Sequence, residues 1–403
     1  MKVVDYFKSL VVQRFSTLQD HRLPEVWSGS ADSGELVTPS SAMGLSAVWA
    51  CTNLIAGTIS SLPLMVYMRD GETREEHRQH PLHRILRDSP NYDQTSIEFL
   101  EFLLASIELW GNAYARVERD GGGRVSALFP VAPDIVTVRR NQSGDLVYEW
   151  SEEGRRFERP GSTMLHIRGF GGNPLGGLST LQFGRNTFGL ARAVEKSASA
   201  TFANGLRPSG ALTFEQWLTA EQRDIAERRL VEKYIGAVNA GRPLILEGGT
   251  SWTPLTINPE DAQMLESRRF SIEEVCRFFG VPPVLIGHSE KNSSWPSSVE
   301  AQAILLQKFT LRRRVKRVEA AMMKQLLSPA DRGRGVFIEF NMDGLLRGDS
   351  ASRGAYYQTM TQMGAMTINE VRKLENLPPV EGGDVPRMQM QNVPITEAGN
   401  EQL

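Results

Sequence analysis

Residues 278–287 read FFGVPPVLIG, which combines the end of a helix with a turn that two prolines enforce. Upstream, Pro259 stands at the start of a helical pattern, where proline is well tolerated. Gly280 ends that pattern, because glycine accepts the left-handed conformation common at helix C-termini. The sequence therefore predicts a long helix over 259–280 and an immediate turn at the two prolines.

Helix and strand patterns continue on both sides of this turn. Long helices are also expected over 178–204 and 297–327, with a polar loop, 288–296, before the latter. A compact insert, 205–258, separates 178–204 from 259–280. The shorter expected elements are a strand over 211–214, a helix over 220–234, strands around 244 and 252, a strand over 336–340, and helices near 350–363 and 367–375.

The N-terminal half contains an uncharged segment, 36–68, that is long enough to span a bilayer. Serines, threonines and prolines dilute its hydropathy, however, and its large apolar residues share one helical stripe. The residues of this stripe are Leu45, Val48, Trp49, Ile55 and Ile59. We therefore expect a buried core helix that ends before Pro63, then a strand over 64–69 and a polar loop over 70–83.

Short β-strand signals follow a helix that begins at Ser96 and stops at Gly111. Turn residues separate these signals, as in a meander of antiparallel strands. The expected strands cover 113–118, 125–129, 135–140, 146–150 and 164–167. A β meander packed on helices, together with the long helices downstream, predicts an α+β fold.

The composition argues against several classes of protein. The chain has 403 residues, with 45 lysines and arginines against 47 aspartates and glutamates, and a formal net charge of -2. A protein that binds nucleic acid tightly through its phosphate groups normally has a clear excess of positive charge, which this chain lacks. Cys51 and Cys276 are too few for a disulfide scaffold, and both are expected to be buried reduced thiols. Residues 1–23 show no secretory signal pattern.

No constellation of residues demands an enzyme, and no metal or cofactor is expected. The glycine-rich segment 169–177 lacks the spacing of a phosphate-binding or dinucleotide-binding loop, and we interpret it as a hinge between a sheet and a helix. His77, His80 and His83 are spaced three apart, as metal ligands on a helix can be. Pro81 interrupts them, so a solvated loop is expected there instead.

A basic cluster lies in the helix expected over 297–327. Its residues are Arg312, Arg313, Arg314, Lys316 and Arg317. Five cations within six helical positions point in most directions around a helix. A helix that simply exposes one face to solvent would carry its charges on that side only. Three kinds of partner stay open: an acidic surface of another protein, a phosphate backbone, or acidic groups of the same chain.

Several segments together are similar to the portal protein family of tailed bacteriophages and gene-transfer particles. The segment 278–287 resembles the family's Phe-Gly-Val-Pro-Pro-x-Leu-Leu-Gly signature. Residues 178–181 depart from the family pattern, since they read Leu-Ser-Thr-Leu where the family often has Ser-Pro. The other matching segments, in order within 44–384, are Trp110-Gly111-Asn112-Ala113-Tyr114, Asn204-Gly205 with Pro208 and Gly210, Asp261 and Gln263 with Leu265-Glu266-Ser267-Arg268-Arg269, Leu345-Leu346-Arg347-Gly348-Asp349, Met366-Thr367-Ile368-Asn369-Glu370-Val371-Arg372 and Asn376-Leu377-Pro378-Pro379.

The resemblance implies a ring, usually of twelve copies, at one vertex of a capsid. In this family double-stranded DNA passes through the ring during packaging and ejection, without sequence specificity. The implied partners are the terminase large subunit, the major capsid protein and a head-tail adaptor, with no membrane. The protein is expected to assemble in the bacterial host cytoplasm and to reside in the virion. A near-neutral charge suits such a channel, because each tight phosphate contact would slow the passage of DNA.

The resemblance also divides the chain into regions. They are an N-terminal arm (1–37), the first part of a wing (38–176), a stem helix (177–204), a clip (205–258), a second stem helix and turn (259–287), a tunnel loop (288–296), a kinked helix with the second part of the wing (297–344), a crown (345–380) and a flexible tail (381–403).

Three sets of residues in these regions are expected to act at surfaces. The tunnel loop is expected to line the narrowest part of the channel through Lys291, Asn292, Ser293, Ser294 and Trp295. The clip is expected to dock the packaging motor, and later the tail adaptor, through Arg223, Glu227, Arg228, Arg229 and Glu232. The basic cluster is expected to contact neighbouring subunits, because a head-to-tail ring joins different faces of each subunit.

Two other functions stay open at the level of sequence. A nucleic-acid-processing enzyme would use the glycine-rich segment 169–177, although no catalytic constellation accompanies it. A peripheral membrane protein would use residues 1–15 and 36–68, although the hydropathy of the latter is diluted.

Overall fold

The computed structural model describes residues 29–71, 73–203, 210–213, 219, 221, 251–254, 259–288, 296–342, 350–375 and 377–386. The helices are α1 (Pro39–Met43), α2 (Ser46–Ser60), α3 (Pro81–Arg87), α4 (Ser96–Trp110), α5 (Thr180–Phe183), α6 (Arg185–Ala203), α7 (Pro259–Phe279), α8 (Pro296–Leu305), a π-helical segment (Leu306–Leu311), α9 (Arg312–Leu326), α10 (Pro329–Gly333), α11 (Ser350–Gln362) and α12 (Ile368–Leu374).

Thirteen strands of the described residues form five small antiparallel sheets. The strands are β1 (Gly29–Ser30), β2 (Leu36–Val37), β3 (Leu64–Asp70), β4 (Thr73–Glu76), β5 (Asn112–Arg119), β6 (Val125–Val131), β7 (Thr137–Arg140), β8 (Leu146–Glu152), β9 (Arg155–Pro160), β10 (Met164–Arg168), β11 (Gly210–Thr213), β12 (Ser251–Pro254) and β13 (Val336–Phe340). They pair in the orders β1-β2, β10-β5-β6, β13-β3-β4, β7-β8-β9 and β11-β12. This mixture of helices and strands confirms the α+β prediction.

The main hydrophobic core lies between α2, α4, α7, α9 and the sheets of β3 and β5. Helix α4 starts with a capping box, in which Thr95 and Glu98 satisfy each other's backbone N–H groups. Gly111 ends it in the left-handed conformation, at φ 73°. The predicted helix between Ser96 and Gly111 is therefore confirmed.

The uncharged segment 36–68 forms the buried helix α2 and strand β3, as expected. Val48, Ile55 and Ile59 of the helical stripe are fully buried, but Trp49 is 54% exposed, so its assignment to the core face was wrong. Within the described residues, no helix is both long enough and apolar enough to cross a membrane.

Cys51 of α2 and Cys276 of α7 are both buried, with their Sγ atoms 4.0 Å apart, and both are free thiols. The hydrogen bond shared with Cys276 and the burial of the site raise the pKa of Cys51 well above its usual range. The thiol of Cys51 is therefore held protonated, which fits the expected buried reduced thiol.

Several expected elements differ in the structure. The expected polar loop 70–83 contains strand β4 and the start of α3, and strand β9 was missed because Arg155–Pro160 lacks alternating apolar residues. The expected single helix over 178–204 is two helices, since the chain breaks at Gly184. Within the expected flexible tail, Gly383 is buried and accepts a hydrogen bond from the amide N–H of Asn369. Apart from residue 221, the expected helix over 220–234 and the strand near 244 lie outside the described residues.

A close crossing of three glycines joins the end of α4 to the segment 169–177. The amide N–H of Gly169 donates to the carbonyl oxygen of Gly111 at 2.6 Å. A Cβ atom on Gly177 would lie 2.2 Å from the nitrogen of Gly169 and 2.4 Å from the carbonyl of Gly111. The glycines therefore allow two backbone segments to touch, which no residue with a side chain permits here.

The side chain of Asn112 stabilises this crossing through two hydrogen bonds to Gly177. Its Oδ1 accepts from the amide of Gly177 at 2.7 Å and its Nδ2 donates to the Gly177 carbonyl at 3.0 Å. The same Oδ1 lies 2.9 Å from Nε2 of His166, whose Nδ1 lies 3.1 Å from the hydroxyl of Tyr148. With the Nε2 proton donated to Asn112, Nδ1 accepts from the tyrosine, so every member of this buried network is satisfied.

Replacing Gly177 with alanine should lower the free energy of unfolding by about 1–3 kcal/mol, because the new methyl group overpacks a backbone crossing. Gly121→Ala is the matched control, since a Cβ atom at Gly121 meets nothing within 4 Å. Chemical denaturation of both variants measures the difference. Equal stability of the two variants would show that the crossing can relax and is not a fixed constraint.

Candidate functional site at a three-helix junction

The segment 278–287 forms the end of α7 through a pair of crossed backbone hydrogen bonds. The amide of Val281 donates to the carbonyl of Cys276 at 3.0 Å, and the amide of Gly280 donates to that of Arg277 at 3.2 Å. This is the Schellman pattern, and it places Gly280 in the left-handed region at φ 69°. The predicted helix over 259–280 and its glycine end are confirmed.

Two residues of the downstream helical run bind the carbonyls that α7 leaves free. Thr310, in the π-helical segment, donates its hydroxyl to the carbonyl of Gly280 at 2.5 Å. Arg314, one helical turn later in α9, donates Nη2 to the carbonyl of Phe279 at 3.0 Å. The C-terminus of α7 is therefore capped by another helix, which satisfies its unpaired carbonyl groups and complements its dipole.

Arg314 also forms a bidentate ion pair with Glu108 of α4. Its Nε lies 2.6 Å from Oε1 of Glu108 and its Nη2 lies 2.9 Å from Oε2. Both side chains are almost enclosed, at 13% and 5% exposure. One guanidinium therefore connects α4, α7 and α9, and we call this arrangement the three-helix junction.

A cleft of about 640 Å³ opens beside the junction. The residues that line it include Arg277, Arg313, Arg314 and Arg317 and the aromatic residues Phe170, Phe183 and Phe278. Phe170 and Phe183 are 69% and 51% exposed. An opening with arginines and exposed aromatic rings can hold a carboxylate and an apolar or aromatic group together.

The five residues of the basic cluster have different surroundings in the structure. Arg314 pairs with Glu108 inside the chain, and Lys316 pairs with Glu319 at 2.8 Å and with Glu339 of β13 at 3.0 Å. Arg312 and Arg313 are exposed, whereas Arg317 is half-buried in the cleft. Acidic groups of the same chain, one of the three open possibilities, thus neutralise two of the five cations.

The carboxyl of Glu319 is buried between α9 and β13, and burial raises its pKa above the usual range. The ammonium of Lys316 and the amide N–H of Phe340, which donates to Oε1 at 3.0 Å, oppose this shift. The network attaches α9 to the sheet that contains β3, on the side of the helix away from the cleft. The helix that carries Arg313 and Arg317 is therefore held in position through its opposite face.

A model of the family described as phage portal protein matches residues 46–376 of this chain. The chain belongs to the phage portal protein family. It is 38% identical over 358 residues to the portal protein of Enterobacteria phage HK97, covering 88% of this chain and 84% of that protein. It is 31% identical to the probable portal protein of Streptomyces phage phiC31, covering 88% of this chain and 79% of that protein.

A solved structure from the neck of an empty gene transfer agent particle, computed with C6 symmetry, has a similar fold. The two chains superpose with a TM-score of 0.63 at 26% identity, covering 88% of this chain and 97% of the other. The resemblance to portal proteins that the segment 278–287 indicated is therefore confirmed over most of the chain, and the α+β architecture described above is a portal fold.

Two of the three sets of expected surface residues lie outside the described residues. These are the tunnel-loop set, Lys291, Asn292, Ser293, Ser294 and Trp295, and the clip set, Arg223, Glu227, Arg228, Arg229 and Glu232. Their roles stay predictions. The subunit-contact role of the basic cluster also stays a prediction, and within it Arg314 and Lys316 have partners in their own chain.

The sequence suggested a solvated loop at the histidines spaced three apart, and the structure differs from this expectation. His80 caps the start of α3 by accepting from the amide of Leu82 at 3.2 Å. The side chains of His80 and His83 are only 10% and 12% exposed and lie near Asp331 and Glu76. No group of three or more potential metal ligands is present in the part of the chain that the structure describes.

The sequence analysis missed Glu108, Thr310 and Asn112 as structural determinants. Glu108 offered a usable signal, because it is the only charged residue in the run 102–110 of α4. Such a residue is rarely buried without a cationic partner. Thr310 offered no such signal, since a threonine in a helix is ordinary until its acceptor is known.

Replacing Arg314 with methionine should lower the free energy of unfolding by about 3–5 kcal/mol, because it leaves the carboxylate of Glu108 buried without a partner. Arg312→Met is the matched control in the same helix. Because Arg312 is exposed, this change should alter the free energy of unfolding by less than about 0.5 kcal/mol. The double variant Glu108→Leu with Arg314→Met should recover part of the loss. Denaturation curves that are the same for Arg314→Met and Arg312→Met would contradict the junction's role.

Proposed function

We propose that the chain forms a portal ring at one vertex of a capsid, through which the terminase motor packages double-stranded DNA and from which the DNA is later ejected. The ring also joins the head to the tail. The observation that carries this proposal is the family match over 46–376, together with the fold shared with the neck of a gene transfer agent particle.

The arrangement of α6 and α7 supports the proposal. These two long helices pack against each other, and Phe188 of α6 has its ring centroid 5.6 Å from that of Phe278 and 6.2 Å from that of Phe279. We assign them as the two stem helices, with 205–258 between them as the clip. Both contacts join the start of α6 to the end of α7, so the two helices are held together at the ends remote from the insert, which suits a clip that projects from the other end of the stem.

The three-helix junction supports the assignment of 288–296 as the tunnel loop. This segment begins just after the turn that ends α7, and at its other end α8 starts the helical run in which Thr310 and Arg314 contact the end of α7. A loop between two helical elements that contact each other can approach moving DNA without displacing the elements behind it.

Further assignments complete the proposal. The major capsid protein surrounds the wing (38–176 with 297–344), the arm (1–37) and the tail (381–403) form the two ends of the chain, and 345–380 forms the crown. The terminase large subunit docks on the clip first, and a head-tail adaptor docks there after packaging. The ring has twelve copies, is assembled in the bacterial host cytoplasm and remains in the virion. No catalytic step is assigned to the chain.

The structure weakens both alternative functions. In the glycine-rich segment 169–177 the amide of Gly169 donates to the carbonyl of Gly111 and the amide of Gly177 donates to Asn112, so neither of these amides is free to bind phosphate. In the segment 36–68, Leu45, Val48, Ile55 and Ile59 of the apolar stripe lie in the protein core rather than on a surface that a membrane could contact, and only Trp49 of the stripe is exposed.

Deleting residues 291–295 should abolish the protection of packaged DNA while leaving ring formation intact, because the loop would contact DNA and not a neighbouring subunit. The measurement is the amount of nuclease-resistant DNA in particles assembled with capsid protein and terminase, with ring mass measured in parallel. Glu152→Ala, in the exposed β8–β9 hairpin, is the control. Unchanged protected DNA in the deletion variant would refute the tunnel-loop assignment.

Reversing charge at Arg228 and Arg229 should weaken binding of the terminase large subunit, and the loss should shrink as salt is raised. Reversal at Arg155 and Arg156, in strand β9 of the wing, is a control that changes net charge equally. Binding is measured by titration at two ionic strengths. If the clip reversals leave the affinity unchanged, the docking face lies elsewhere on the chain.

A further inference from the structure

The cleft beside the three-helix junction has a surplus of positive charge. Glu108 is neutralised by Arg314, and Arg277 forms an ion pair with Glu274. Arg313 and Arg317 have no ion pair with any other described residue, although both line the cleft. Burial and the nearby Arg314 lower the pKa of Arg317, and Glu108, which is already paired with Arg314, opposes this shift only in part.

The opposite end of α4 carries a surface of complementary chemistry. Tyr92, in the loop before α4, is 86% exposed, the highest value among the exposed large apolar and aromatic side chains of the described residues. The loop 88–95 also carries Asp88 and Asp93, both exposed and without an ion pair to a described residue, and it contains no lysine or arginine. We call this loop the Tyr92 loop.

The Tyr92 loop is held rigidly. The side chain of Asn91 is buried beneath it, where Nδ2 donates to the carbonyl of Leu128 at 2.8 Å. Its Oδ1 accepts from the amides of Asp93 and Gln94, both at 2.9 Å. Tyr92 leans on Phe129, with ring centroids 5.3 Å apart, yet stays open to solvent. An exposed aromatic ring on a preformed loop loses little conformational entropy when it binds.

We propose that the Tyr92 loop of one subunit docks in the arginine-phenylalanine cleft of the next subunit. The aromatic ring of Tyr92 contacts the exposed phenylalanines and stacks beside a guanidinium, and the carboxylate of Asp93 pairs with Arg313 or Arg317. The occupant is a second copy of this chain, because the chain itself presents both complementary surfaces.

The placement of the two surfaces explains why such docking produces a ring. They lie beyond opposite ends of the fifteen-residue helix α4, which spans about 22 Å. A subunit that carries the Tyr92 loop beyond one end of a helix and the cleft beyond the other end cannot place its own loop in its own cleft. It associates head to tail, and head-to-tail association closes into a ring when the rotation between subunits allows.

This inference rests on the proposed function, since it names the contact that builds the ring. The test is chemical cross-linking of assembled rings that carry Asp93→Cys and Arg313→Cys in the same chain, with a short bis-maleimide as the probe. The native Cys51 and Cys276 are buried and give little background. A ladder of covalent oligomers is expected. Each single-cysteine variant, and Glu152→Cys combined with Arg313→Cys, should give no ladder.

Charge exchange supplies the second measurement. Arg313→Glu should raise the concentration needed for half-maximal assembly by about tenfold. Adding Asp93→Arg should restore assembly towards that of the parent chain, whereas adding Glu152→Arg should not. Because Arg313 and Asp93 are exposed, neither change should alter the unfolding transition of the subunit.

The outcomes separate the inference from the proposed function. If the parent chain forms rings but the paired cysteines give no ladder and the exchanged charges give no rescue, the docking contact is wrong and the portal assignment stands. If the parent chain forms no ring with its capsid protein, the proposed function fails and the inference fails with it.

Discussion

The buried ion pair between Arg314 and Glu108 is the interaction on which the arrangement of the long helices depends. It joins residues 206 positions apart in sequence, and the same guanidinium caps the carbonyl at the end of α7. A charge enclosed to this degree is tolerated only when its partner is held in place, because each ion loses its hydration. The ion pair therefore forms only when α4, α9 and the end of α7 are all packed in their final positions.

The glycine crossing imposes a second constraint a few residues from the first. Gly111 ends α4, three residues after Glu108, and its carbonyl receives the hydrogen bond of Gly169. The segment that starts at Gly169 leads into α5 and α6, so the start of α6 is set by the same region that anchors the end of α7. These two helices, which we propose form the stem, thus begin or end close to the crossing and the three-helix junction.

The sequence predicted the elements whose signals are local. Helix α7 has proline at its start and glycine at its end, and α4 has a capping box and a C-terminal glycine, so both were placed within about a residue or two. The break at Gly184 and strand β9 were missed, because tertiary packing and pairing with β8 decide them rather than propensity. The partner of Arg314 could not be read from the sequence, since the cluster of five cations gave no indication of which one faces Glu108. The cleft was missed for the same reason, as its lining comes from five separated segments.

The mass of the assembled protein tests the central claim most directly. Light scattering of the chain purified from cells that also produce its capsid protein should give about 540 kDa for twelve copies of the 44.9 kDa subunit, and electron images should show rings with an open centre. A compact dimer with measurable nucleotide hydrolysis, or a chain that stays monomeric under these conditions, would contradict the account.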